Sequence, residues 1–278
     1  MRIDAHHHVW DLTVRDQPWT APLPPLRRSF SLADLRPLLS EHDIDATILV
    51  QTVCVPEETP ELLTVAAADP LVAGVVGWVD LTRPDVTSEL ARLRGVTGGR
   101  TLVGIRHQVQ EEPDPAWLQR PDVRRGLQAV SDSNLVYDLL VRPHQLPAAV
   151  EAARSLPELR FVLDHAGKPV VGEPPSDGWA SAMRSLGALP NVTVKLSGLT
   201  SEAPTDWTVE LLRPFVEALL ATIGPDRLMF GSDWPVCLLG GGYDVTIEST
   251  ELLLAELGAA DRRLVFGEVA ANVYGLSR

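Results

Sequence analysis

The stretch DAHHHVW, near the start of the chain, holds histidines two residues apart at positions 6 and 8. Side chains alternate along a β-strand, so His6 and His8 face one side of a strand and His7 faces the other. Two imidazoles at this spacing can converge on one atom, which is how a divalent metal ion is often held. The alternative is that each imidazole makes a hydrogen bond within the core. We expect His7 to be structural.

The second candidate is Asp233, in the stretch GSDWP. A buried carboxylate costs free energy unless it is paired, bound to a metal ion or used in a reaction. Capping of the following turn is an equally good explanation, because Asp favours turns.

Eight short apolar or alternating runs recur along the chain, and their composition is typical of strands buried on both faces. They span 2–9, 45–53, 71–81, 102–109, 135–141, 160–167, 191–198 and 227–234. Helix-like stretches separate most of them, and the first has Ser31 as its predicted N-cap with Asp34 three residues later. This alternation predicts a single-domain (β/α)8 TIM barrel over residues 1–278, with 16–30 as a long first βα loop. A doubly wound open sheet is the alternative, but no glycine-rich phosphate turn follows the first strand.

In such a barrel the active site lies where the strands end at the carboxyl face. Polar residues occur at most of these predicted strand ends, namely His6, His8, Gln51, Arg106, His107, His165, Lys195 and Asp233. On the first strand we expect Ile3 and Ala5 to face the helices, and Asp4 to face the barrel interior with the two histidines.

The bulk composition restricts the possible partners. A net charge of −13 disfavours nucleic acid and anionic membrane surfaces. The two cysteines, Cys54 and Cys237, lie far apart in sequence, so a disulfide framework is not indicated and a reducing compartment fits. There is no leader-like start and no apolar run near the roughly 18 residues of a membrane span. We expect a cytoplasmic protein, monomeric or homodimeric, whose partner is a small molecule.

The chain resembles the amidohydrolase superfamily, and within it the branch that hydrolyses sugar lactones, pyrone dicarboxylates and sulfomuconolactone. The motifs that carry the resemblance are IDAHHHVW, GIRHQVQEEPD, LDHAGKP, VKLSGL, MFGSDWPV and NVYGL, in the family's order along nearly the whole chain. The resemblance implies that His6 and His8 are the first-strand metal-ligand pair. It also implies that His165 is the mid-barrel histidine and that Asp233 is the general base of the eighth strand.

The sequence departs from the superfamily's two-metal pattern. The fourth strand ends in Arg106-His107, where two-metal members have a carboxylated lysine or a glutamate, and the fifth ends without histidine. We therefore expect one divalent ion on His6, His8 and Asp233, with help from His165, or no metal at all. Imidazole ligands favour zinc. No organic cofactor is expected.

The remaining groups at the predicted mouth are substrate-binding candidates with open alternatives. Arg106 can hold a substrate carboxylate or polarise a carbonyl, or form a structural ion pair, whereas Lys195 can stabilise an oxyanion or extend out of the barrel. Trp10 and Trp234 can stack on a sugar ring or pack in the core. Gln51 and His107 are the last two substrate-binding candidates. His107 directly follows Arg106, so within a strand its side chain would face the helices and not the barrel interior.

The predicted activity is hydrolysis of a sugar-acid lactone, with Asp233 taking a proton from the attacking water and His165 and a metal ion stabilising the oxyanion. The alternatives are a non-oxidative decarboxylase of an aromatic or unsaturated acid, which uses similar ligands, and an inactive barrel that binds a sugar acid. A serine nucleophile is not indicated, because the sequence lacks G-x-S-x-G.

Overall fold

The computed structural model describes residues 1–276. Within that range eight parallel strands pair in chain order, from β1 to β8. They are β1 (Ile3–His7), β2 (Ala46–Val50), β3 (Val72–Gly77), β4 (Leu102–His107), β5 (Val136–Leu139), β6 (Phe161–Leu163), β7 (Val192–Leu196) and β8 (Leu228–Phe230). The predicted (β/α)8 TIM barrel is confirmed.

The chain just beyond β8 brings the barrel close to closure. His7 and Trp234 form a parallel bridge. The His8 amide donates to the Trp234 carbonyl at 2.7 Å, and the Asp233 amide donates to the His6 carbonyl at 2.8 Å. The same hydrogen bonds that join the last strand to the first therefore place Asp233 beside the first-strand histidines.

Helices surround the strands. They are α1 (Leu32–Glu41), α2 (Glu58–Ala68), α3 (Val86–Arg94), α4 (Pro121–Asp132), α5 (Leu146–Ser155), α6 (Asp177–Gly187), α7 (Val209–Thr222), α8 (Tyr243–Leu253), α9 (Ala259–Arg263) and α10 (Val269–Tyr274). Helix α1 begins after Ser31, whose amide donates to Asp34 Oδ2 at 2.8 Å, as the capping pattern predicts. Helix α2 was not among the predicted helices. Among the helices of residues 1–276, none has the length and apolar character needed to cross a membrane.

Two apolar layers lie on either side of the strands. The outer layer packs strand residues against the helices. The inner layer takes alternate strand positions and is closed at the amino-terminal end of the barrel by α10; its members include Ile3, Ala5, Ile48, Val76, Val136, Val162, Met229, Val269, Ala270 and Tyr274. The charged groups of the candidate site lie on the same inner face, nearer the carboxyl end.

The orientation expected for the start of β1 is wrong. Ile3 and Ala5 belong to the inner layer, whereas Asp4 accepts a hydrogen bond from Ser232 Oγ at 2.6 Å. A β-bulge explains the difference: Asp4 pairs with Thr47 and His7 with Leu49, so β1 has one residue more than β2 over this stretch. The extra residue resets the alternation.

Candidate active site

Four side chains converge at the carboxyl end of the barrel. His6 Nε2 lies 3.2 Å from His8 Nε2. Asp233 Oδ1 lies 3.6 Å from His6 Nε2, 3.4 Å from His8 Nε2 and 3.9 Å from His165 Nε2. Four atoms bound tetrahedrally at about 2.1 Å from zinc would be about 3.4 Å apart. These buried side chains therefore fit one divalent ion of that size.

Hydrogen bonds behind two of the histidines orient their rings. His8 Nδ1 lies 2.7 Å from the carbonyl oxygen of Val50, which can only accept, so the ring proton is on Nδ1. His165 Nδ1 is hydrogen-bonded to Ser197 Oγ at 2.9 Å. Each ring thus directs Nε2 towards Asp233, which is the arrangement that a metal-binding histidine usually has.

The backbone around these ligands is strained and tightly packed. Asp233 has a φ of 58° and His165 a φ of 53°, in the left-handed region that non-glycine residues seldom occupy. Such conformations cost on the order of 1–3 kcal/mol and concentrate at functional sites. Gly198 has a φ of +68°, and a Cβ there would lie 2.8 Å from the His165 ring. The glycine of the VKLSGL motif therefore makes room for His165.

Arg106 lies directly beside the histidines and is almost fully buried. Its Nη1 donates to Asp164 Oδ2 at 2.9 Å and lies 3.3 Å from His6 Nε2. Its Nε donates to Gln51 Oε1 at 3.2 Å. Gln51 thus positions Arg106 and does not line the cavity.

Lys195 lies beneath the histidines and is fully buried, so it does not extend out of the barrel. Its Nζ lies 2.5 Å from Asp138 Oδ2, 2.9 Å from Asp164 Oδ1 and 3.1 Å from His6 Nδ1. Burial raises the pKa of Asp138 to about 6, while Lys195 opposes the rise. Burial would also raise the pKa of Asp164, but Lys195 and His6 hold it well below its usual value.

The electrostatics of the site favour binding of a cation. Among the described residues of this cluster, the buried carboxylates Asp138, Asp164 and Asp233 exceed the buried cations Arg106 and Lys195 by one. Each of these groups lies in a low-dielectric interior, where an excess charge is costly unless it is compensated. A divalent ion held by neutral imidazoles and Asp233 would supply positive charge at that point.

The protonation states of the ligands also suit a metal ion. Burial lowers the pKa of His165 to about 4 and the pKa of His6 well below its usual value, so both rings are neutral at pH 7. Burial would raise the pKa of Asp233, but the facing histidines hold it below its usual value. Neutral imidazoles and an ionised carboxylate are the forms that bind metals.

A cavity of about 360 Å³ lies above this group. It is within the size range of small-molecule sites. Its lining residues are His8, Trp19, Leu23, Thr52, Arg106, Gln108, Gln110, Glu111, Leu140, Arg142, His165, Lys168, Ser201, Glu202, Asp233, Val236 and Leu239. His8, His165 and Asp233 therefore line the cavity, and polar and charged side chains form much of the rest of its wall.

The structure does not bring Trp10 and Trp234, two of the substrate-binding candidates, into this cavity, and both pack in the core, which was the alternative. Their rings pack on either side of Phe30, with centroid distances of 5.1 and 5.4 Å. Trp10 Nε1 donates to the carbonyl of Arg28 at 2.7 Å. The tryptophan in the lining is Trp19, which the sequence analysis did not select.

His107 also lies outside the cavity lining. Its ring stacks on Trp117 with a centroid distance of 4.2 Å. Its Nδ1 accepts from Trp78 Nε1 at 2.9 Å, and its Nε2 lies 2.8 Å from Glu112 Oε1. Both ring nitrogens of His107 therefore have partners within the protein. This agrees with the expectation that its side chain faces the opposite side of β4 from Arg106, and it gives His107 a structural role.

Sequence reasoning missed two buried carboxylates of this network. Asp138 pairs with Lys195, whereas Asp164 lies against Arg106, Lys195 and His6. Asp138 lies within the apolar run LVYDLLV, and Asp164 immediately precedes His165. A single charge inside an otherwise apolar strand was the available signal for Asp138, because such a charge requires a buried partner.

The comparisons identify the family to which this site belongs. The family model for the amidohydrolases of the Amidohydro_2 group matches residues 3–276. The chain belongs to this amidohydrolase family. The superfamily predicted from the motifs is therefore confirmed.

The chain is 38% identical over 282 residues to an L-fucono-1,5-lactonase of Burkholderia ambifaria, covering 100% of this chain and 96% of that protein. A crystal structure of an amidohydrolase from Burkholderia multivorans with bound zinc has a TM-score of 0.94 and 38% identity, and each chain is covered completely. A manganese-bound dihydroxybenzoic acid decarboxylase from Polaromonas has a TM-score of 0.70 and 18% identity, covering 100% of this chain and 97% of that one. The last similarity shows the fold alone.

Proposed function

We propose that this amidohydrolase opens the ester ring of a sugar-acid lactone by adding water to the ring carbonyl. The observation that carries the proposal is the position of Asp233: it lies on the floor of the cavity, against the Nε2 atoms of His6, His8 and His165. The full-length relatives named as L-fucono-1,5-lactonases support a lactone of a six-carbon deoxy sugar acid as the first substrate to test.

Asp233 would act as the general base. Its Oδ1 faces the three histidines, so we assign proton transfer to Oδ2. The carboxylate takes a proton from water as the water oxygen bonds to the lactone carbonyl carbon. The ring C–O bond then breaks, and Asp233 returns the proton to the leaving ring oxygen. The product is the open-chain aldonic acid.

The metal-binding part of the proposal assigns one ion to His6, His8 and Asp233, which leaves the fourth position for water, with His165 beside it. A divalent ion in such a site supplies a Lewis acid and lowers the pKa of a bound water. His165 and Arg106 both line the cavity next to Asp233. Their Nε2 and guanidinium groups are positioned to stabilise the oxyanion that forms on the carbonyl oxygen.

The wall of the cavity supports a polyhydroxylated substrate. Gln108, Gln110 and the ion pair of Lys168 with Glu202, which are 2.9 Å apart, present donors and acceptors to the space above Asp233. Trp19 adds a flat apolar surface of the kind on which sugar rings stack. The decarboxylase alternative has weaker support, because the two solved decarboxylases compared with this chain share 18% and 14% identity with it.

The test is a screen for acid release with a pH indicator. It would cover fucono-, rhamnono-, galactono- and arabinono-lactones, with pyrone dicarboxylate, a muconolactone and dihydroxybenzoate as further substrates, and bicarbonate measured in parallel. We expect hydrolysis of at least one aldonolactone well above the buffer rate, without an organic cofactor. Bicarbonate release from dihydroxybenzoate, with no lactone hydrolysed, would replace the lactonase proposal by the decarboxylase.

A further inference from the structure

Thr52 lies two residues beyond the end of β2 and lines the cavity, but it has no role in the chemistry described above. The two residues before it hold groups of the candidate site. The Val50 carbonyl accepts from His8 Nδ1 at 2.7 Å. The Gln51 carbonyl accepts from Arg106 Nη2. Thr52 therefore lies beside the reacting centre, where a bound lactone would contact it.

A buried glutamate fixes the backbone at Thr52. Glu58, at the start of α2, is 4% exposed. Its carboxylate accepts from the Thr52 amide at 2.9 and 3.0 Å and from the Val53 amide at 3.1 Å. The Thr52 carbonyl accepts from Gln108 Nε2 at 2.8 Å. The backbone of this turn is therefore held by hydrogen bonds that do not involve the Thr52 side chain.

The same glutamate determines what the Thr52 hydroxyl offers to a substrate. Both Glu58 oxygens face backbone amides, which only donate, and this favours the ionised carboxylate. In the contact between Thr52 Oγ1 and Glu58 Oε1 the hydroxyl therefore donates its single proton. The lone pairs of Oγ1 remain, so towards the cavity this oxygen acts as an acceptor.

The charged groups of the cavity favour a neutral substrate as the donor to Thr52. Each cation of the lining already faces a carboxylate: Arg106 and Asp164 are 2.9 Å apart, Lys168 and Glu202 are 2.9 Å apart, and Arg142 and Glu111 are 3.9 Å apart. A carboxylate on the substrate would meet cations that have partners, and it has no proton to donate to Thr52. A ring hydroxyl has one.

We propose that Thr52 is a specificity-determining residue: its hydroxyl, whose proton is bound to Glu58, accepts a hydrogen bond from a ring hydroxyl of the lactone. The inference rests on the proposed function and names the feature of the substrate that the cavity selects. This feature separates sugar lactones from pyrone dicarboxylate and muconolactone, which carry carboxylates and no ring hydroxyl.

The test compares Thr52→Val with the wild type on one aldonolactone and on its monodeoxy analogues, each lacking one ring hydroxyl. Valine keeps the branched shape of threonine and removes the oxygen. We expect kcat/KM for the parent lactone to fall about tenfold, because a substrate hydroxyl loses its partner in a buried position. For the analogue that lacks this hydroxyl, the two proteins should have equal kcat/KM.

Two further variants control for effects of the substitution on the fold. Thr87→Val, at an exposed position in α3, should match the wild type on every lactone. Thr52→Ser keeps the oxygen and its bond to Glu58, so it should keep most of the activity on the parent lactone. If Thr52→Val does not fold, Thr52→Cys replaces it, because a thiol is a weak acceptor of similar size.

The outcomes separate this inference from the proposed function. Equal losses on the parent and on all analogues, or no loss on the parent, would overturn the inference even if the protein hydrolyses lactones. If the protein hydrolyses none, the intact lactones serve as ligands in titration calorimetry. The expected pattern in their affinities would then support the inference and reject the proposed function, and its absence would reject both.

Discussion

At the scale of single residues, the chemistry depends on the orientation of each ring as much as on its identity. His165 lies just after β6 with a left-handed backbone, and its Nδ1 is held by Ser197 at 2.9 Å. Without that hydrogen bond the ring keeps its position in the chain but loses the partner that fixes its rotation and tautomer. Ser197 is therefore expected to influence activity without contacting the substrate.

Ser197→Ala should lower kcat by about tenfold, the lower end of the effect of losing an outer hydrogen bond to an active-site histidine. The melting temperature should change little, because one small buried hydroxyl is removed. Steady-state kinetics on the best lactone would measure the effect, with the exposed Ser181→Ala in α6 as the control. Unchanged kcat would show that packing alone, including the contact with Gly198, orients His165.

At the scale of elements, the join between β8 and β1 holds the site together. The Asp4 carboxylate accepts from the Ser232 amide at 2.8 Å, from Ser232 Oγ at 2.6 Å and from the His6 amide at 3.2 Å. One buried carboxylate thus fixes the segment before Asp233 and the bulge that turns His6 inward. Ser232 therefore connects the end of β8 to Asp233, the proposed base.

Ser232→Ala should destabilise the fold by about 1–3 kcal/mol, because Asp4 loses a donor in a buried environment. Urea unfolding followed by circular dichroism would measure the loss, and the exposed Ser181→Ala should change stability by no more than about 0.5 kcal/mol. A variant as stable as the wild type would mean that the two backbone amides alone hold Asp4.

The strand and helix periodicities were sufficient to predict the barrel, because eight apolar runs separated by helices have few other ways to pack. They could not predict the start of β1, since strict alternation has no signal for a bulge.

The sequence also could not predict which aromatic residues lie at the mouth of the barrel. Trp10 and Trp19 are nine residues apart in one long loop, and only the folded loop decides which of them faces the cavity. Asp138 and Asp164 were missed because their role depends on contacts with residues remote in sequence.

At the scale of the whole molecule, a metal ion would couple the site to global stability. Its proposed ligands lie at or just beyond the ends of the first and eighth strands, so binding restrains elements that are far apart along the chain. An ion that binds only the folded state stabilises it by about 2.7 kcal/mol at a free concentration of 100 times its Kd.

Zinc added to metal-free protein should therefore raise the melting temperature, and the rise should disappear when both His6 and His8 are changed to Ala. Differential scanning calorimetry with and without zinc, with calcium as the control ion, would measure it. An equal rise in the double variant would place the stabilising zinc elsewhere on the protein.

The central claim is that Asp233 is the base that activates water for attack on a lactone. Its most direct test is the steady-state hydrolysis of L-fucono-1,5-lactone, or of the best lactone from the screen, by wild type and Asp233→Asn, with the buffer rate subtracted and zinc content measured. Asn keeps the size of the side chain but cannot take the proton, so we predict a kcat lower by roughly 10²–10⁴-fold, with KM changed much less. The exposed Asp132→Asn in α4 should match the wild type. A folded Asp233→Asn protein that retains most of its turnover would contradict the account and move the search for the base to His165.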